Sequence, residues 1–292
     1  ACESVDAFMS PSKHLMNKFV KEFKLPEDKV IYSPYGFDRT RLSARSRPVS
    51  SADDRNLSSD DSPPAPFVFA YIGRHQPSKG INLLVDAALK LIADSRGVEK
   101  KFAVKIYGRA EMNATLALQR KMDQHLPDGA AKEVFQWHKE YNNFNIVDEV
   151  FNEVDAIVVP SIWEENSPLV IQEAQQCKVP VITSDIGGMA ELVTDGVNGL
   201  TFKHRNVASL AEAMLKAIEQ PDGMKFLGQR GYLHSEDGQI PCVEEHAEGV
   251  TNLYSRLLQQ LPLGLSDPDS SVPIPTPLTH RRAPWRITFD TN

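Results

Sequence analysis

The chain has 292 residues, with 32 Lys plus Arg against 39 Asp plus Glu and a formal net charge of −7. Its 41% hydrophobic and 24% charged residues are ordinary for a globular protein, and the length suffices for one large domain or two smaller ones. The acidic balance argues against nucleic acid as the main partner, because binding a phosphate backbone needs a basic surplus. No apolar run approaches the roughly 18 residues of a transmembrane helix. The opening ACESVDAFMS lacks the basic and apolar regions of a signal peptide. Cys2, Cys177 and Cys242 are too scattered for a disulfide framework or a CxxC metal pair, so a reducing cytoplasm is the expected compartment.

In chain order, the first element reads strand–helix–strand. VDAFMSPS is a short apolar run ending in helix-capping chemistry at Ser10 or Ser12. KHLMNKFVKEF puts Leu15, Met16, Phe19, Val20 and Phe23 on one helical stripe, LPEDK is a turn, and KVIYSP is a second short strand. From Ser43 to Pro66 the composition turns to Ser, Asp and Pro. With almost no large apolar side chain to offset its ordering entropy, this segment is expected to be a flexible linker or insertion.

FVFAYIG, starting at Phe67, is a continuous apolar run suited to a strand covered on both faces. INLLVDAALKLIADS then has a helical period, KFAVKIYG is strand-like, and NATLALQRKMDQHL is helical. KEVFQW (132–137) is a strand candidate, NIVDEVFNEV a short helix, DAIVVPS a buried strand, and PLVIQEAQQC a helix with Pro168 at its first position. VPVITSD and GLTF are strands, while VASLAEAMLKAIEQ and VEEHAEGVTNLYSRLLQQ are helices. Strands alternating with helices of this length predict an α/β class with a doubly wound parallel sheet over 67–261. The tail 262–292 carries six prolines without a period and is expected to be disordered.

In such sheets ligands bind at the carboxyl ends of the strands. Four loops there carry chemistry. GRHQPSKG runs from Gly73 to Gly80, and its Arg74 and Lys79 stand beside a helix start, an arrangement suited to an anion and equally to a solvated basic turn. It is neither a P-loop nor a GxGxxG fingerprint. PSIWEENSPLVIQEA holds Glu165 in the loop and Glu173 inside the following helix. The loop carboxylate suits hydroxyls of a second sugar or the cap of a helix, and the helical one suits a vicinal diol such as a ribose or an ordinary helix surface. SDIGGMAE offers Gly187 and Gly188 for close backbone approach, or is a plain tight turn between strand and helix. IYGRAE offers Arg109, placed for a phosphate, a base or solvent.

Taken together, GRxxxxKG, then DAIVVPSIWEENSPLVIQEA, then PVITSDIGGMAELVTDGVNGLTF resemble the C-terminal nucleotide-sugar domain of the retaining GT-B glycosyltransferases of family 4, glycosyltransferase group 1. The resemblance spans about residues 1–260 and is most specific from 67 to 202. Residues 1–42, with SPSKHL and VIYSPYGFD, are similar to the end of that family's N-terminal acceptor domain and its crossover.

The resemblance implies a Rossmann-like donor domain that moves a sugar from a nucleoside-diphosphate sugar to a glycan or lipid-linked acceptor, with retention. It implies that Arg74 and Lys79 hold the donor diphosphate and stabilise the leaving group. Glu173 would bind the ribose, Glu165 would lie near the donor sugar, and Gly73, Asn166, Ser167, Pro168 and Leu169 would contact sugar and phosphate. Trp137 or His138 would lie near the base. No Asp-x-Asp stands at a strand end, so neither metal nor other cofactor is expected. Only the last strand–helix–strand of an acceptor domain is present, so a fragment, or a chain needing a partner for the acceptor half, is expected, with peripheral association at the cytoplasmic face of a membrane left open. A non-catalytic nucleotide-sugar-binding module is the alternative function. A sugar-nucleotide epimerase on the same fold fits the Glu-x7-Glu loop less well, and a dinucleotide oxidoreductase is disfavoured by the missing glycine fingerprint.

Overall fold

The computed structural model describes residues 4–45, 65–94, 102–126 and 130–260. Most of the expected linker (46–64) and the whole tail (262–292) therefore lie outside the described residues. Residues up to Thr251 form one compact unit, and those from Asn252 onward form a second, described to Gln260.

The expected strand–helix–strand is present. β1 (Phe8–Ser10) and β2 (Val30–Tyr32) pair in parallel, with Met9 opposite Ile31, and are joined by α1 (Lys13–Phe23). Of the two candidate caps the structure uses Ser12, whose hydroxyl accepts from the Leu15 amide.

The main sheet has six parallel strands: β3 (Phe67–Ile72), β4 (Phe102–Tyr107), β5 (Phe135–Trp137), β6 (Ala156–Val159), β7 (Val181–Ser184) and β8 (Gly199–Phe202). Their spatial order is β5-β4-β3-β6-β7-β8. The chain builds outward in one direction from β3, then returns to build outward in the other from β6. Between β3 and β6 the direction of winding switches, and such switch points open a crevice at the strand ends.

Strand residues alternate between two apolar layers, as a sheet covered on both faces requires. Phe67, Phe69 and Tyr71 of β3 face one core, shared with α2 (Ile81–Ala93), α3 (Met112–His125) and α8 (Val207–Glu219). Val68 and Ala70 face the other, shared with α5 (Ile146–Glu149), α6 (Leu169–Gln176) and α7 (Gly187–Leu192).

Three local readings are corrected. KEVFQW is not one strand: α4 (Ala130–Val134) runs into β5, because Ala131 and Val134 pack on the core three residues apart, a helical spacing. α9 (Pro221–Arg230) was not expected. Its signals are Pro221 at the start and Met224 and Leu227 on the buried side, diluted by Gly223 and Gly228. Pro168 caps α6 from outside instead of occupying its first turn, a shift of one residue. α10 (Val243–Gln260) is the last described helix.

Candidate active site

At the switch point a cavity of about 620 Å³ opens over the ends of β3 and β6. Gly73, Lys79, Glu165, Glu173 and the stretch Asn166–Leu169 line it, and the segment Tyr35–Asp38 with Arg41 faces them.

Backbone contacts lock the loops around it. Gly80 ends the turn Pro77–Lys79 with φ +73°, and a Cβ there would lie 1.7 Å from the Pro160 carbonyl oxygen. Only glycine permits both the left-handed conformation and that approach. The Ile162 and Trp163 amides donate to the Ser78 carbonyl at 3.0 and 3.2 Å, tying the β3 loop to the β6 loop. The glycine pair after β7 allows the close approach its sequence suggested. The Gly188 amide donates to the Glu165 carbonyl at 2.7 Å, and a Cβ on Gly188 would lie 1.6 Å from the Asn166 carbonyl oxygen. Three βα loops thus meet backbone to backbone.

Side chains complete the site. Lys79 Nζ lies 2.7 Å from Glu165 Oε1, which also accepts from the Ser161 hydroxyl at 2.8 Å. The cation expected to meet a phosphate is therefore paired with the carboxylate expected near the donor sugar. Glu173 is not a surface residue: its side chain is 5% exposed, and its Oε1 accepts from Arg41 Nη2 at 2.8 Å. Beside it, burial and then the Glu173 charge push the Tyr141 hydroxyl up to about 12 and the Cys177 thiol likewise to about 12. Asn166 Oδ1 accepts from the Ser12 hydroxyl at 2.5 Å, and the buried Gln172 amide donates to the Ser167 hydroxyl at 3.0 Å, fixing the loop before α6. Pro168, Leu169 and Val170 bring the α6 N-terminus to the wall, where first-turn amides lack intrahelical acceptors.

Three expected residues do not join this group. Arg74 turns outward, 59% exposed and 3.6 Å from Glu111 Oε1, although the buried Tyr71 hydroxyl holds its carbonyl at 2.6 Å. Arg109 is 74% exposed and faces Glu140. His138 stacks on Tyr107 at 4.4 Å, outside the cavity wall, and burial followed by the Lys105 charge holds its ring below the usual histidine range. The sequence reading missed Arg41 and Ser161. Arg41 belongs to no spacing pattern, and its partner is 132 positions away. Ser161 was visible in the loop but gains meaning only from the fold of Glu165 back over it.

Comparison with known proteins places this geometry. The family model described as "Glycosyl transferases group 1" matches residues 54–234. The D-inositol 3-phosphate glycosyltransferase of Gordonia bronchialis is 28% identical over 222 residues, 75% of this chain and 47% of that protein. The chain spans about half the length of the curated relatives it matches. Among solved structures, Anabaena Alr3699/HepE in complex with UDP and glucose aligns over 86% of this chain and 63% of its own, at 18% identity and a TM-score of 0.68. A glycosyltransferase from Rickettsia africae aligns over 87% and 64%, at 18% identity and a TM-score of 0.70. These likenesses show the GT-B fold. The chain belongs to the group 1 glycosyl transferases.

Proposed function

We propose that the cavity binds a nucleoside-diphosphate sugar, and that the protein transfers that sugar to a glycan or lipid-linked hydroxyl acceptor with retention of configuration. The observation that carries this reading is the convergence of Lys79, Glu165 and Glu173 on one cavity beside the α6 N-terminus. The UDP and glucose held by the Anabaena neighbour agree with it.

Breaking the bond between the sugar and the diphosphate sends the electron pair to the departing nucleotide. Lys79 and the first-turn amides of Leu169 and Val170 stabilise the charge that develops there, more in the transition state than in the ground state. Arg74 joins them by leaving its loose, solvent-exposed pair with Glu111. Glu173 accepts from the ribose hydroxyls. Glu165 releases Lys79 as the diphosphate arrives and turns to the sugar hydroxyls. Arg109 and His138 stand outside the proposed donor contacts.

These cations do the work a divalent ion does in other transferases, so activity is expected to survive EDTA; loss of activity restored by Mg²⁺ would reject this point. The free thiols of Cys177 and Cys242 suit a reducing cytoplasm. Among the described residues no helix is long and apolar enough to cross a membrane.

The test is calorimetric titration with UDP, GDP, ADP and dTDP, beside a Glu173→Ala variant. Selective binding of one nucleotide, lost in the variant, supports the donor site and names the donor class. A folded chain that binds none of them refutes it.

A further inference from the structure

We infer that Arg41 is a positioning residue for donor recognition: it orients the buried carboxylate of Glu173 so that the free oxygen of that group meets the ribose hydroxyls. The inference rests on the donor-site reading above and adds to it a residue from outside the main sheet.

Glu173 sits at the cavity wall with its side chain 5% exposed, and Arg41, 16% exposed, faces it at 2.8 Å. Among the described residues only Arg41 donates to Glu173, through Oε1, and Oε2 accepts no hydrogen bond. One oxygen is therefore spent on orientation and the other is left for a ligand.

The guanidinium is itself fixed. Its Nη1 donates to the Asn143 carbonyl at 2.9 Å, so both of its terminal nitrogens are used and the plane cannot rotate freely. Its backbone is pinned on both sides. Leu42 is 1% exposed in the core below. Upstream, the Phe37 amide donates to the Pro241 carbonyl at 3.0 Å, and the Phe37 carbonyl accepts from the Val243 amide at 2.9 Å. Between them Asp38 caps the short turn Arg39–Arg41 by accepting from the Thr40 amide at 2.9 Å. A surface ion pair would not need this support. It is the arrangement expected where the angle of one carboxylate matters.

The test compares UDP with 2′,3′-dideoxy-UDP, or the matching pair for whichever base binds, on wild type, Arg41→Ala, Arg41→Lys and Glu173→Ala, with melting temperatures recorded for each. The wild type should prefer the ribonucleotide. Arg41→Ala should weaken ribonucleotide binding by roughly tenfold, leave the dideoxy affinity unchanged, and so lose most of the preference. Arg41→Lys, which keeps the charge but not the fork, should recover part of it. If Arg41→Ala does not fold, a full wild-type preference in Arg41→Lys overturns the inference. It is equally overturned if Arg41→Ala keeps the preference that Glu173→Ala loses, or if it binds the ribonucleotide more tightly than wild type, since Arg41 would then be a mere strut or a competitor. In those cases the donor site itself stands. If the wild type binds neither nucleotide, the donor-site reading fails and Arg41 with it.

Discussion

Replacing Gly188 by alanine should damage the site although Gly188 itself makes no proposed donor contact. The added Cβ would lie 1.6 Å from the Asn166 carbonyl oxygen and 2.9 Å from that of Glu165. Real Cβ atoms stay at least 3.0 Å from such atoms, so the Asn166 oxygen must retreat by about 1.4 Å or α7 must move. Retreat stretches the 2.7 Å bond from the Gly188 amide to Glu165. Losing that bond costs about 1 kcal/mol and the forced shift about 1–3 kcal/mol more. A loss of roughly 2–4 kcal/mol lowers the melting temperature of a domain this size by roughly 4–16 °C. Because Glu165 and Asn166 ride on the displaced loop, donor-sugar affinity should fall further than stability alone explains, and misplacement by about 1 Å is enough to cost 100-fold in transfer. Gly249→Ala is the control. It meets nothing within 4 Å in the helix α10 and should stabilise by roughly 0.5–1 kcal/mol. Melting curves and nucleotide titration on both variants decide the matter. A Gly188→Ala protein that melts and binds like wild type would refute the close packing of these loops.

Three further outcomes are expected. Lys79→Ala should weaken nucleoside-diphosphate binding by roughly 10–100-fold, the worth of a charge-assisted phosphate contact, and Arg74→Ala should also weaken it; unchanged affinity in both variants removes the diphosphate from this loop. Glu165→Gln frees Lys79 from its 2.7 Å partner, so a nucleoside diphosphate lacking the sugar should bind about 2–5-fold more tightly, a modest gain because the pair is partly exposed; weaker binding would show that Glu165 aids the nucleotide directly. Burial lowers the His75 ring below its ordinary value of 6.5. The unfolded chain then binds more protons than the folded one, so stability is intact above about pH 6.5 and falls as pH drops below it. His138 acts in the same direction. His75→Gln should flatten the loss of melting temperature between about pH 7.5 and 5.5, and an unaltered slope would exclude His75 as a source of it.

Much of the fold was legible because it is written in local periods. The apolar run at Phe67 and the helical stripe at Ile81 each declare their own conformation, and their alternation implies a parallel sheet. The glycines were legible too, since Gly80 and Gly188 stand at strand-to-helix turns where only a missing side chain allows contact. KEVFQW misled because a helix of five residues and a strand of three are both too short to show a period.

The sequence by itself determined the fold class, the family, and the loops in which Lys79, Glu165 and Glu173 stand, because each is set by residues close in the chain. Only the tertiary structure decided how those side chains are spent. It pairs Lys79 with Glu165, sends Arg74 out to Glu111, and brings Arg41 across to Glu173. Charge pairs form between whichever groups the packed backbone brings within reach, and no local pattern encodes a partner as distant as Glu173 is from Arg41, 132 positions away.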